Sequence, residues 1–160
     1  MEDFESLIKN VKVKMYKTAM AILKNDDDAC DAIQEALISA YQNFKKLREK
    51  QYFDTWIIRI LMNKCYDIIN KNKKVIYLNQ KLEIDSNEQY YDVYKEESLL
   101  ENVLNQIDVD LKTVALLYYY DCFSVKDISH IINIPEGTVK SRLSRAREQI
   151  YNILKKEEVT

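Results

Sequence analysis

Apolar residues recur in steps of three and four at Phe4, Leu7, Ile8, Val11, Met15, Ala19, Ile22 and Leu23, which predicts one amphipathic helix. Asn25-Asp26-Asp27-Asp28 breaks the pattern and offers cap acceptors and negative charge to the first turn of a second helix. That helix shows a stripe of Ile33, Ala36, Leu37, Ala40, Tyr41 and Phe44, with Asp31, Gln34, Glu35, Ser39 and Gln42 on its opposite face. A third helix, from about Tyr52 to Asn70, is apolar nearly all round through Phe53, Trp56, Ile57, Ile60, Leu61, Ile68 and Ile69, as befits the centre of a small bundle. The basic run Lys71-Asn72-Lys73-Lys74 is expected to close it. Periodicity then fades from about Val75 to Glu97, in a polar, acidic stretch dotted with Tyr90, Tyr91 and Tyr94, which reads as a linker.

Helical spacing returns at Leu99, Leu100, Val103, Leu104 and Ile107, and again from Leu111 to Tyr120. Ser124 with Asp127 three residues on forms a capping box for a short helix carrying Ile128, Ile131 and Ile132. Asn133, the best substitute for glycine in a left-handed turn, precedes Ile134-Pro135 and a last helix through Lys156. Two short helices joined by a tight turn, the second one basic, describe a helix-turn-helix.

Composition narrows the class. One glycine and one proline in 160 residues leave no material for phosphate loops, dinucleotide folds or sandwiches of short strands. The chain is therefore expected to be all-α. It divides into two small helical domains, residues 1–74 and 98–160, joined by a flexible acidic linker over 75–97. The three cysteines, Cys30, Cys65 and Cys122, have no paired spacing, and with a single histidine they argue against a disulfide framework or a zinc site. Reduced, buried or half-buried thiols are expected. No basic segment precedes an apolar run at the start and no run approaches a membrane span, so the protein is expected in the cytoplasm.

The net charge of −2 hides strong segregation. Residues 59–81 carry six basic and one acidic side chain, residues 82–110 one basic and nine acidic, and residues 136–156 six basic and two acidic. Two basic islands around an acidic stretch suggest two nucleic-acid footprints. On the last helix, Val139, Leu143, Ala146, Ile150 and Leu154 form the buried stripe, so Lys140, Ser141, Ser144 and Arg145 point away from it and Arg142 and Arg147 flank them. The chain has 19 lysines and 5 arginines, yet Arg142, Arg145 and Arg147 all fall on this helix. Arginine is the residue for bidentate contact with guanine or phosphate. At and just before the start of the first island, Tyr52, Phe53, Trp56 and Tyr66 interleave with Arg59, Asn63 and Lys64, a mixture suited to stacking and reading unpaired bases. Phe53 and Ile57 fit core packing better, and Trp56 fits either role.

The C-terminal part, with Ser124-Val-Lys-Asp-Ile-Ser-His-Ile-Ile-Asn-Ile-Pro-Glu-Gly-Thr-Val-Lys-Ser-Arg-Leu-Ser-Arg-Ala-Arg, closely resembles the promoter −35 binding domain of bacterial extracytoplasmic-function (ECF) sigma factors. Asp28-Ala-Cys-Asp-Ala-Ile-Gln-Glu-Ala-Leu-Ile-Ser-Ala-Tyr resembles that family's segment for the clamp helices of the RNA polymerase β′ subunit. Phe53-Asp-Thr-Trp-Ile-Ile-Arg-Ile-Leu-Met-Asn-Lys resembles its −10 element segment.

The resemblance implies core binding through Asp31, Gln34 and Glu35, −10 contacts from Tyr52, Trp56, Arg59, Asn63 and Lys64, and −35 contacts from Lys140, Ser141, Arg142, Ser144, Arg145 and Arg147. It also implies promoter DNA, the polymerase clamp and β flap, and an anti-sigma factor as partners, the last commonly membrane-anchored. No cofactor, metal, homo-oligomer or enzymatic activity is expected. Asn133 stands where the family usually has a turn glycine, and Ser144 where some members have a larger side chain. A stand-alone helix-turn-helix regulator is the alternative, and it would need to dimerise. A helical metal site is disfavoured: Asp127 and His130 share a face, but such sites need a second carboxylate–histidine pair.

Overall fold

The computed structural model describes residues 3–81 and 99–158, and every regular element among them is helical. They form α1 (Phe4–Leu23), α2 (Asp26–Asn43), two 3₁₀ turns (Phe44–Lys46 and Lys50–Tyr52), α3 (Phe53–Lys81), α4 (Leu99–Asn105), α5 (Val109–Ala115), a π turn (Leu116–Tyr120), α6 (Val125–Ile132) and α7 (Glu136–Glu158).

The element ends follow from local chemistry. The Asp3 side chain accepts from the Ser6 N–H at 2.9 Å and starts α1. Lys24, left-handed at φ 56°, ends it by donating its N–H to the Met20 carbonyl. Asn25 then caps α2 by accepting from the Asp28 N–H at 2.9 Å, and Asp26, Asp27 and Asp28 oppose the positive end of the helix dipole.

The face that α2 buries overlaps the expected one through Ala36 and Ala40 but is turned from it toward Ala29 and Ala32. Ala29, Ala32, Ala36 and Ala40 are wholly buried, Ile33 and Leu37 are half-buried, and Tyr41 is exposed, with its ring edge-on to Phe4. A row of methyl groups lets the α2 backbone come close to α1 and α3, leaving the larger side chains to fill the flanks. In the same core α3 buries Phe53, Ile57, Ile58, Leu61, Met62 and Cys65. Cys65 is the one thiol buried as expected, and Cys30 and Cys122 are exposed. All three are free. Burial pushes the Cys65 thiol up to about 12.

The third helix also runs further than its pattern suggests. Lys71 to Lys74 do not end it: α3 continues to Lys81, and residues 70–78 are exposed. Lysine and asparagine carry no break, and neither glycine nor proline intervenes, so the helix leaves the body with its cationic face on. The remainder of the expected linker, 82–97, lies outside the described residues.

The C-terminal half packs α4, α5 and α7 around Val103, Leu104, Leu111, Val114, Val139, Leu143 and Ala146. The two halves share one apolar core, because α6 lies on α3 and α5 on α1. Four polar or charged residues are buried among the described ones: Thr18, Lys112, Thr113 and Asp121. All belong to α1 or to the stretch from α5 to Asp121, which meet across this seam. Thr18 Oγ1 donates to Asp121 Oδ2 at 2.9 Å, and Tyr66 of α3 reaches Thr113 at 3.4 Å.

Candidate nucleic-acid interface

The helix-turn-helix forms as its residues require. Ser124 Oγ accepts from the Asp127 N–H at 3.1 Å, while the Asp127 carboxylate accepts from the Ser124 N–H at 3.2 Å. Asn133 takes the left-handed conformation at φ 54°, doing the work of a turn glycine. Pro135 stands one residue before α7, not inside it, and its carbonyl accepts from the Thr138 and Val139 N–H groups.

On α7 the inner stripe fades toward the C-terminus. Val139, Leu143 and Ala146 are buried, Ile150 is half-buried and Leu154 is exposed. Lys140, Ser141, Ser144 and Arg145 face solvent together on the opposite side. The Ser141 hydroxyl donates to the Thr138 carbonyl at 3.0 Å, which leaves its oxygen free to accept. Neither flanking arginine stands free. Arg142 is half-buried and pairs with Asp110 of α5 at 3.2 Å. Arg147 donates to the Tyr119 hydroxyl at 3.1 Å, a bond that stabilises its charged form. The structure thus gives Arg142 a role in tying α7 to α5, which the sequence alone did not reveal.

In the N-terminal half, Tyr52, Trp56, Arg59 and Asn63 follow one another at steps of four, three and four, along the 3₁₀ turn and the outer side of α3. Tyr52, Arg59 and Asn63 are exposed and Trp56 is half-buried, its ring 5.9 Å from that of Phe53. Trp56 is therefore partly core and partly surface. Asp31, Gln34 and Glu35 are all exposed on α2. The two sets touch where Glu35 pairs with Lys64 at 3.5 Å, and eight residues further along α3 Asn72 donates to Asp28 at 3.4 Å.

Two family models match the chain in order, Sigma-70 region 2 over residues 7–75 and Sigma-70, region 4 over residues 98–150. The ECF RNA polymerase sigma factor SigW of Bacillus subtilis is 32% identical, over 95% of this chain and 89% of the relative. The chain belongs to the ECF RNA polymerase sigma factor family. An ECF sigma-E factor of Haemophilus influenzae is 30% identical over 89% of this chain and 85% of its own. Among solved structures, the sigma factor RpoE of Bartonella quintana, in complex with the anti-sigma factor NepR, superposes with a TM-score of 0.80 at 25% identity, over 97% of this chain and 98% of that one. CnrH, solved with the cytosolic domain of CnrY, shares the fold at a TM-score of 0.69 and 17% identity, over 95% and 87%.

As a sigma factor this protein directs transcription initiation. The matched region 2 contains most of α1, all of α2 and most of α3, hence the acidic α2 face and the aromatic–cation stripe; region 4 contains the helix-turn-helix. No described helix is long and apolar enough to cross a membrane.

Proposed function

We propose that this sigma factor grips the clamp helices of core RNA polymerase with Asp31, Gln34 and Glu35. Tyr52, Trp56, Arg59, Asn63 and Lys64 meet the melted −10 element, and Lys140, Ser141, Ser144 and Arg145 read the −35 duplex. Arg142 and Arg147 hold the recognition helix in place and lie beside the DNA backbone. The observation that carries this reading is that each set lies on the outer side of a helix whose inner side is buried, so each stays open to a partner. The β flap is the expected partner of the C-terminal half. An anti-sigma protein, tethered to the membrane as is common in the family, is the expected inhibitor.

Run-off transcription with core polymerase and a small promoter library tests the whole assignment. Glu35→Lys tests the core contact separately. It reverses a charge on the exposed face of α2 and sets two cations, 35 and 64, against each other, at a cost of under about 1 kcal/mol in stability. Helicity is expected to stay unchanged while co-purification with core polymerase falls sharply. A variant that co-purifies as wild type does would remove this face from the contact. Native mass separates the rival regulator, which must be a dimer.

The chain's one glycine supports the −35 reading. Gly137 opens α7, its φ is not positive, and a Cβ placed on it would meet nothing within 4 Å. The fold itself does not need glycine here, and alanine would favour the helix by up to about 1 kcal/mol. Close approach of a DNA backbone supplies the missing reason. Gly137→Ala is expected to raise the melting temperature and weaken binding to a −35 duplex; unaltered duplex affinity would leave the glycine without a function in recognition.

A further inference from the structure

The seam between the halves is unlike the rest of the core. It holds all four buried polar or charged residues, and one of them is a carboxylate whose Oδ1 is buried without a hydrogen-bond partner among the described residues. A permanent core has no use for such a group, because a buried carboxylate oxygen without a partner costs desolvation that the one bond to its other oxygen does not return. A joint that must come apart does, since opening gives the carboxylate back to water. We propose that the seam is a releasable joint latched at Asp121: ionisation of this carboxylate favours parting of the two halves, and its neutralisation holds them together. The inference deepens the sigma-factor reading, since core and promoter would then engage the parted halves.

The surroundings of Asp121 fit this role. From α1, Thr18 donates the one hydrogen bond the carboxylate accepts among the described residues, and Lys14 acts on it through its charge. Lys14 is already committed elsewhere: it pairs with Asp54 of α3 at 3.3 Å and rests 5.1 Å from the Phe123 ring centroid. Lys17, the next cation of α1, lies over the Tyr120 ring. On α5, Asp110 is paired with Arg142, and on α6 Asp127 closes the helix cap while Lys126 and His130 are exposed.

Burial therefore dominates, and it raises the Asp121 carboxyl to about 6, against the opposing effects of Thr18 and Lys14. Because the value is raised in the closed form, the proton's contribution to closure is complete below the ordinary carboxylate value near 3.8 and is lost as pH rises through about 6. The closed-to-open ratio is thus expected to fall about tenfold between pH 5 and pH 7. Lys112, pushed down to about 8 by burial and then by Lys24, titrates in the closed form above this window and does not confuse it.

The test uses the full chain as wild type, Asp121→Asn and Thr18→Val, measured by small-angle scattering from pH 5 to pH 7 and by titration with core polymerase at pH 7. Asp121→Asn keeps the shape and cannot ionise. It is expected to stay compact at every pH and to bind core about ten- to a hundredfold more weakly than wild type. Thr18→Val strips the ionised carboxylate of its hydrogen bond; it is expected to be more expanded than wild type at pH 7, to compact at pH 5, and to bind core no more weakly. Opposite effects from the two sides of one hydrogen bond are not what a purely structural contact gives. Dimensions of wild type that ignore pH, or an Asp121→Asn protein that follows pH as wild type does, overturn the latch. So does equal core affinity of wild type and Asp121→Asn. If wild type fails to bind core at all, the sigma-factor reading fails, and the scattering still decides the latch.

Discussion

Ile128→Ala is expected to lower stability by about 2–5 kcal/mol, the range for emptying a buried isoleucine site. Ile128 is wholly buried on α6, the helix that packs on both α3 and α7. A cavity there weakens two contacts together, the helix-turn-helix and the seam between the halves. For a chain of this size the loss corresponds to a fall of roughly 5–20 °C in melting temperature. Ile76→Ala, on the exposed end of α3, serves as the control and is expected to change stability by less than about 0.5 kcal/mol. A drop for Ile128→Ala no larger than for Ile76→Ala would mean that α6 is not held as its burial indicates.

Arg145→Lys carries the largest expected effect on promoter choice. Arg145 is exposed among Lys140, Ser141 and Ser144 and, among the described residues, has neither the ion pair of Arg142 nor the tyrosine bond of Arg147. A bidentate contact to a base is worth about 1–3 kcal/mol of discrimination, and lysine keeps the charge while losing the planar fork. Preference at a single −35 position is expected to disappear while the salt dependence of binding stays nearly constant. A phosphate contact would instead leave preference intact, because lysine serves a phosphate as a point charge. Titrations on matched and singly mismatched duplexes at two salt concentrations separate the roles. Binding identical to wild type on every duplex would reduce Arg145 to a charge.

What could be read in the sequence was what neighbouring residues decide. The Asn25 cap, the Ser124–Asp127 box and the left-handed Asn133 depend on side chains a few residues apart, and each formed as expected. The buried stripe of α7 was legible for the same reason over Val139, Leu143 and Ala146. The face of α2 was legible only in part: Ala36 and Ala40 were read as buried, but apolar periodicity favours large side chains, whereas close helix packing turned the buried row toward Ala29 and Ala32. The end of α3 was misplaced because a basic run is compatible with a helix terminus without enforcing one. The Thr18–Asp121 bond spans 103 residues of sequence, and no local pattern announces it. The same holds for the ties of Arg142 to Asp110 and of Arg147 to Tyr119, which only the packing of α7 against its neighbours creates.

The distribution of thiols has a practical consequence. Cys30 and Cys122 are exposed, one in each matched sigma region, while Cys65 is buried and its thiol is held far from ionisation. A maleimide dye near neutral pH will therefore label two of the three cysteines and spare the third. The natural chain thus carries one attachment point on each half, a built-in molecular ruler that single-molecule fluorescence can use during promoter engagement without adding or deleting a residue.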